Sequence, residues 1–310
     1  MEIAPVLFLV YRDPETTARV FEQIRLARPK QLFIAGDGPK DSAGKEMEEC
    51  SQVRKIVTRI DWECDLKTRF LSKNYGLKEA VSSAICWFFE HVESGIIVEY
   101  DCLPSLSFFN FASMMLERYK SNHRVFSISG VNILSSAGSI SSDYYYSRFT
   151  SVWGWATWRR SWEKWKPNFE DYEAFKRENV LRNAISNKAT CEKMAKIFDA
   201  VHDGLNTSTW AYFLLYAQLR EGGLSVIPSK NLIKNLGFTT RGTNSFDNSH
   251  PCANLTLENL DSYRSPKFFI PDSSRDSASL KVWLRPQRRS LVKRFIKKAG
   301  LLVVILLSRR

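Results

Sequence analysis

The chain has 310 residues, 44% hydrophobic and 25% charged, which is the balance of an ordinary globular protein long enough for one large folded body or two small ones. Its formal charge of +12 is unevenly placed: residues 1–150 hold 18 Lys and Arg against 19 Asp and Glu, residues 151–279 hold 17 against 14, and residues 280–310 hold 10 against none. A near-neutral body with a basic C-terminal stretch argues against nucleic-acid binding by the body, which would need a basic face of its own.

Residues 4–10 (Ala-Pro-Val-Leu-Phe-Leu-Val) read as a buried strand. Asp13 then suits an N-cap and Pro14 the first position of a helix that runs to about Ala27, with Val20, Phe21 and Ile24 on one face. Gln31–Ala35 reads as a second strand ending at Gly36-Asp37-Gly38-Pro39, and an acidic helical stretch leads to a third strand near Leu66–Leu71. Residues 76–92 carry Leu77, Val81, Ile85, Phe88 and Phe89 at helical spacing. A fourth strand, Gly95–Val98, runs into Glu99-Tyr100-Asp101 and ends by Pro104. A helix over Ser105–Tyr119 and a strand over Arg124–Ser129 follow. This alternation predicts a mostly parallel sheet with helices on both faces.

In such a sheet the carboxyl ends of the strands share one rim, where α/β proteins present ligand chemistry. Arg12, Asp37, Asn74, Glu99, Tyr100, Asp101 and Asn132 all fall at that rim. Glu99 and Asp101 are two residues apart, so in an extended chain both carboxylates point the same way. Taken singly, each is equally a turn former or a surface side chain; topology brings them together. No GxGxxG follows the first strand and no Walker motif is present, which disfavours dinucleotide enzymes and NTPases.

Beyond residue 134 the pattern changes. Trp153-Gly154-Trp155-Ala156-Thr157-Trp158, with Trp162 and Trp165, reads either as core anchors for a helix docked on the sheet or as an aromatic platform beside a sugar-sized cleft. Helices are expected over 171–201 and over Trp210–Glu221, a short strand at Leu224–Ile227, and a polar loop at Thr239–Asn254 that reads either as disordered or as a lid that orders on binding. Residues 271–284 read as a linker. Residues 285–310 form a basic amphipathic stretch whose apolar run, Leu301–Leu307, is shorter than the about 20 residues a bilayer span needs. Such a stretch suits an anionic membrane surface. Six cysteines without a CxxC pair, four scattered histidines without zinc spacing, and no signal peptide point to reduced thiols in the cytoplasm and against a zinc enzyme.

Seven segments occur in an order that resembles bacterial GT-A-fold glycosyltransferases related to N-acetylglucosaminyltransferase I. They are Leu9–Pro14, Ala35–Gly38, Asn74–Lys78, Trp87–Glu90, Gly95–Pro104 with Ser107-Phe108-Phe109, Ser129–Asn132 and Trp153–Trp158. The resemblance covers about residues 4–240. It implies a GT-A domain over 1–270, with a nucleotide-sugar-binding half at 1–132 and an acceptor-side half at 133–270. Asp101 then matches the family's metal-holding acid, for Mn²⁺ or Mg²⁺. Arg12, Asp37, Asn74, Lys78, Glu99 and Tyr100 match positions near the nucleotide sugar, and Asn132, Trp153 and Trp155 fall on the acceptor side. A hard divalent ion between a carboxylate and a diphosphate agrees with that assignment.

The chain departs from the family twice. Tyr100 stands where the middle acid of the motif belongs, and Ala211 stands where the family carries the aspartate that acts as general base. Asp203 is the nearest carboxylate in sequence to take that part. The expectation is an inverting, metal-dependent transferase using a nucleotide-diphosphate sugar, most simply a UDP-sugar, and a glycan or lipid-linked acceptor at the inner face of the cell membrane. The alternative is a donor-binding pseudoenzyme acting as an interaction module at the membrane surface.

Overall fold

The computed structural model describes residues 2–285 apart from 42, 137, 139, 206–208 and 239–249; the basic C-terminal stretch from residue 286 onward and most of the polar loop lie outside the described residues. The first half alternates strand and helix: β1 (Val6–Val10), α1 (Pro14–Ala27), β2 (Gln31–Gly36), α2 (Lys45–Val57), β3 (Asp65–Phe70), α3 (Leu77–His91) and β4 (Ser94–Glu99). A short β5 (Cys102–Pro104), α4 (Leu106–Arg118) and β6 (Val125–Ser129) follow, then β7 (Tyr144–Ser147) and β8 (Trp155–Trp158). Five helices come next: α5 (Arg159–Trp162), α6 (Tyr172–Arg177), α7 (Val180–Ala184), α8 (Lys188–His202) and α9 (Ala211–Arg220). They lead to β9 (Leu224–Pro228), β10 (Ile233–Asn235) and α10 (Ser273–Trp283).

Local chemistry sets the ends of α1. Asp13 Oδ1 accepts from the Thr16 amide at 3.1 Å, Pro14 starts the first turn, and Arg28 closes the helix in the left-handed region at φ 51°. The eight strands of the main sheet run in the order β3-β2-β1-β4-β8-β6-β9-β7. From β3 to β4 every pairing is parallel, as is β6 with β9, while β8 runs antiparallel between β4 and β6 and β7 antiparallel to β9. The result is a mixed, mostly parallel sheet.

Strand periodicity divides the core. Val6, Phe8 and Val10 face α1, α2 and α4, whereas Leu7 and Leu9 face α3 and the tryptophans of the second half. A third cluster joins α6 to α9 around Phe169, Phe198 and Tyr216.

Two expectations are corrected here. The Trp153–Trp158 run is not a docked helix: its second half is β8, whose main-chain hydrogen bonds to both β4 and β6 place it at the centre of the sheet. Residues 273–283, read as linker, form α10. Asp272 caps it by accepting from the Arg275 amide at 3.0 Å. The buried Asp276 accepts from Ser147 Oγ at 2.6 Å and from the Arg148 amide at 3.2 Å, which fastens the helix to the edge strand β7. Serine-rich composition suggested a linker; the cap and the buried acid, which acts at long range, make it a helix.

Among the described residues no helix is long and apolar enough to cross a membrane, and all six cysteines are free thiols.

Candidate functional site

The carboxyl ends of β1 to β4 open into one cavity of about 360 Å³. Its walls are mainly apolar, from Leu9, Val10, Leu71, Leu77, Ala80 and Val81, and its polar groups include Tyr11, Asp37, Asn74, Glu99 and Asp101. Parallel strands explain this convergence, because each ends at the same rim with its polar residues just past the last buried position.

Asp37 holds the rim together. Its Oδ1 accepts from the amides of Gly38 at 2.8 Å and Tyr75 at 3.0 Å; its Oδ2 accepts from Asn74 Nδ2 at 2.9 Å and the Gly76 amide at 3.0 Å. Four donors use both carboxylate oxygens fully. Asn74 Nδ2 also reaches Tyr11 Oη and the Gly38 carbonyl, both at 3.0 Å. Tyr11 in turn donates its hydroxyl to Glu46 on α2, and Arg12 Nη1 donates to the other Glu46 oxygen at 2.9 Å. Burial alone would raise the Glu46 carboxyl, yet the bonds from Tyr11, the Lys40 amide and Arg12 hold it below its ordinary value. Burial, followed by Glu46, pushes the Tyr11 hydroxyl well up, so it stays neutral. Arg12 is therefore tied back to α2 and does not line the cavity. Asp37 and Asn74 line it as members of a rigid frame.

Glu99 and Asp101 are different. Both line the cavity, and among the described residues no basic side chain forms an ion pair with either. Burial and then the neighbouring Asp101 charge push the Glu99 carboxyl up to about 8. Burial raises Asp101 too, against an opposing hydrogen bond from Cys102 Sγ at 3.4 Å. Asp101 is held from the far side by β10, which pairs antiparallel with β5, and its carbonyl accepts from the Leu236 amide at 2.6 Å. Gly237 follows, so close that a Cβ there would lie 2.5 Å from Asp101 Oδ2.

Burial and proximity keep the two acids from ionising together, and a divalent cation between them would favour their charged forms. Glu99 and Asp101 therefore fit a cation. Among the described residues no group of three or more His, Cys, Asp and Glu side chains is gathered to hold a metal ion. A cation at these two acids would take its other oxygens from a bound ligand or water, which suits Mg²⁺ or Mn²⁺.

The other residues singled out from the sequence divide. Tyr100 and Trp153 line the cavity. Lys78 does not: its ammonium lies over the Phe213 ring, 4.7 Å from the centroid, and donates to the Pro167 carbonyl at 3.2 Å. Trp155 is wholly buried in β8, its ring 5.9 Å from that of Trp210, so it is core and cannot stack on a sugar. Asn132 is also buried; it donates to the Ser229 carbonyl at 2.9 Å and accepts from the Leu134 amide at 2.9 Å, which makes it a loop brace. Asp203 ends α8 beside His202, 3.2 Å away, and does not line the cavity. Ala211 opens α9 and packs partly buried against the tryptophan cluster.

Sequence reasoning missed Lys40, Arg69, Asn235, Gly237 and Phe238, all of which line the cavity, and Glu46, which anchors Tyr11 and Arg12. Arg69 alternates with Thr68 and Phe70 near the end of β3, so strand periodicity was a usable signal for it. Lys40 follows directly on the Gly36–Pro39 turn, and Asn235, Gly237 and Phe238 arrive through the long-range pairing of β10 with β5.

No protein-family model and no curated protein matches the chain. Among solved structures it is similar to UDP-glucose pyrophosphorylase complexed with UDP-glucose, at 12% identity over 52% of this chain and 78% of that one, with a TM-score of 0.31. It is similar also to apo UDP-glucose pyrophosphorylase, at 9% identity over 72% of this chain and 90% of that one, with a TM-score of 0.36. Likenesses this distant carry no weight for activity or ligand, and the comparisons give no sequence-level support to a resemblance to N-acetylglucosaminyltransferase I.

Proposed function

We propose that this chain is a glycosyltransferase that moves a sugar from a nucleotide-diphosphate donor, a UDP-sugar, to a glycan or lipid-linked acceptor. One observation carries the proposal: Glu99 and Asp101, neither in an ion pair with a basic side chain among the described residues, line a mainly apolar cavity at the carboxyl ends of the parallel strands. An acidic pair of this kind is suited to a ligand that arrives with a cation.

In this reading Asp101, with Glu99 beside it, would hold Mn²⁺ or Mg²⁺ for a diphosphate donor. When bound, the cation supplies charge stabilisation to the departing nucleotide. Lys40 and Arg69, in the same cavity, add positive charge for an anionic donor. The Asp37–Asn74–Tyr11 frame keeps the rim from collapsing, and the apolar walls exclude water that would hydrolyse the donor. Inversion needs a base near the acceptor hydroxyl. Asp37 is saturated by its four donors, and Asp203 lies outside the cavity, so neither takes that part. The basic stretch from residue 285 onward is proposed to hold the protein at the inner face of the membrane, where a lipid-linked acceptor would be presented.

A second reading, nucleotide-sugar binding without transfer, is favoured by Ala211 and by the lack of a further free carboxylate among the cavity-lining residues described. Incubation with a panel of labelled UDP-sugars, with and without acceptors, separates the two. The transferase reading expects sugar release or transfer that stops on chelation and in Asp101→Ala. Donor binding with no turnover across the panel favours the second, and full metal-dependent activity in Asp101→Ala refutes the site.

A further inference from the structure

Residues 265–271 (Ser-Pro-Lys-Phe-Phe-Ile-Pro) run beside the edge strand of the sheet, where Pro271 bridges to Tyr146 and the Asp272 amide donates to the Tyr146 carbonyl at 2.8 Å. The chain bends at Lys267 and Phe268 before it reaches the bridge. Phe269 turns inward, its ring 4.3 Å from that of Tyr146. Phe268 and Ile270 turn outward and are 65% and 68% exposed, more than any other large apolar side chain described except Leu205. Pairing with β7 and the inward Phe269 hold the segment in place, so the exposure of its two neighbours is built into the fold rather than left by fraying.

The surroundings are basic. The Lys267 ammonium lies 5.5 Å from the centroid of the Phe268 ring, and the exposed Arg124 guanidinium lies 4.9 Å from that of Phe269. Arg264 is 70% exposed; its amide donates to Asp143 Oδ2 at 2.6 Å and its guanidinium lies 3.6 Å from Asp143 Oδ1. On the α10 side, Asp272 pairs with Arg275 at 3.6 Å and caps the helix. Two outward apolar side chains, with Lys267 against one of them and the exposed Arg124 and Arg264 close by along the chain and beside Phe269, match an anionic interface: the side chains enter the headgroup–acyl boundary while the cations meet the lipid phosphates. A docking protein would be met by an apolar surface of only two side chains, far below the area a stable protein interface buries.

We infer that Phe268 and Ile270 are a membrane wedge, inserted into an anionic lipid surface with Arg124, Arg264 and Lys267 seated on its headgroups. This site belongs to the folded body and is distinct from the basic stretch beyond residue 285.

The full-length chain is mixed with vesicles of phosphatidylcholine containing phosphatidylglycerol, or of phosphatidylcholine alone, and amide exchange of residues 265–271 is followed by mass spectrometry. The anionic vesicles are expected to slow exchange across this segment, and the neutral ones to leave it unchanged. Phe268→Ser with Ile270→Ser is expected to weaken partition onto anionic vesicles by about tenfold or more, given the apolar area withdrawn. Both side chains are exposed, so the variant should keep the wild-type circular dichroism. Exchange unaffected by vesicles, or wild-type partition by the double variant, overturns the inference. So does protection that rises with protein concentration in the absence of lipid, which would assign the patch to a second copy of the chain.

Discussion

Gly237 approaches Asp101 so closely that a Cβ on the glycine would stand 2.5 Å from Asp101 Oδ2 and 3.0 Å from Asn235 Oδ1. No side chain fits between the loop after β10 and the acid at the end of β4. The loop thus acts as a wall that sets where the carboxylate points.

Gly237→Ala is expected to displace Asp101 rather than unfold the chain, since Gly237 is not among the glycines with positive φ. Affinity for UDP in the presence of Mn²⁺ should fall by about tenfold, or about 1.4 kcal/mol, with little change in urea midpoint. Calorimetry and urea titration together check this. Unchanged metal-dependent affinity would mean that Asp101 is not set by the loop.

Asp37→Asn tests the rim frame. The substitution places an NH₂ where two of the four donors now point, leaving N–H groups, most of them part-buried, without an acceptor. A loss of about 1 kcal/mol is expected, read from urea unfolding in the absence of any ligand. A neutral effect would show that the carboxylate does not organise the strand ends.

Acidity of the pair should show in stability against pH. In the cation-free protein the folded state raises the Glu99 carboxyl from 4.5 to about 8, so it retains a proton that the unfolded chain releases. The associated stability is complete below about 4.5 and is lost as pH rises toward about 8. Asp101 is shifted in the same sense. Urea unfolding in EDTA at several pH values through this window should therefore show wild type losing stability relative to Glu99→Gln. A gap between the two proteins that does not vary with pH would contradict the assigned environment.

Much of the first half was legible in sequence because it is local. Asp13-Pro14 starts α1 at the expected residue, and the periodicity of residues 76–92 gives α3 to within a residue at each end. The rim residues Asp37, Asn74, Glu99 and Asp101 follow from strand order alone. What escaped depends on distant partners. Trp155 read equally as core anchor or platform, and only the insertion of β8 between β4 and β6 makes it core. Glu46 carries no motif, yet it fixes both Tyr11 and Arg12 from a helix over thirty residues away. Gly237 is visible only once β10 pairs with β5.

Asp203→Asn serves as a control for the missing base. Asp203 sits at the end of α8 outside the cavity, with a side chain 60% exposed, so the variant should retain wild-type donor turnover and stability. A loss of turnover of a hundredfold or so, the scale of a lost general base, would return Asp203 to the site.

The central claim is that Glu99 and Asp101 hold a divalent cation against a nucleotide diphosphate. Calorimetric titration of UDP into wild type and Asp101→Asn, each in Mn²⁺ and in EDTA, tests it directly. The account predicts binding by wild type in Mn²⁺, weakened at least tenfold, about 1.4 kcal/mol, by EDTA or by the substitution. Equal UDP affinity in all four titrations would contradict it.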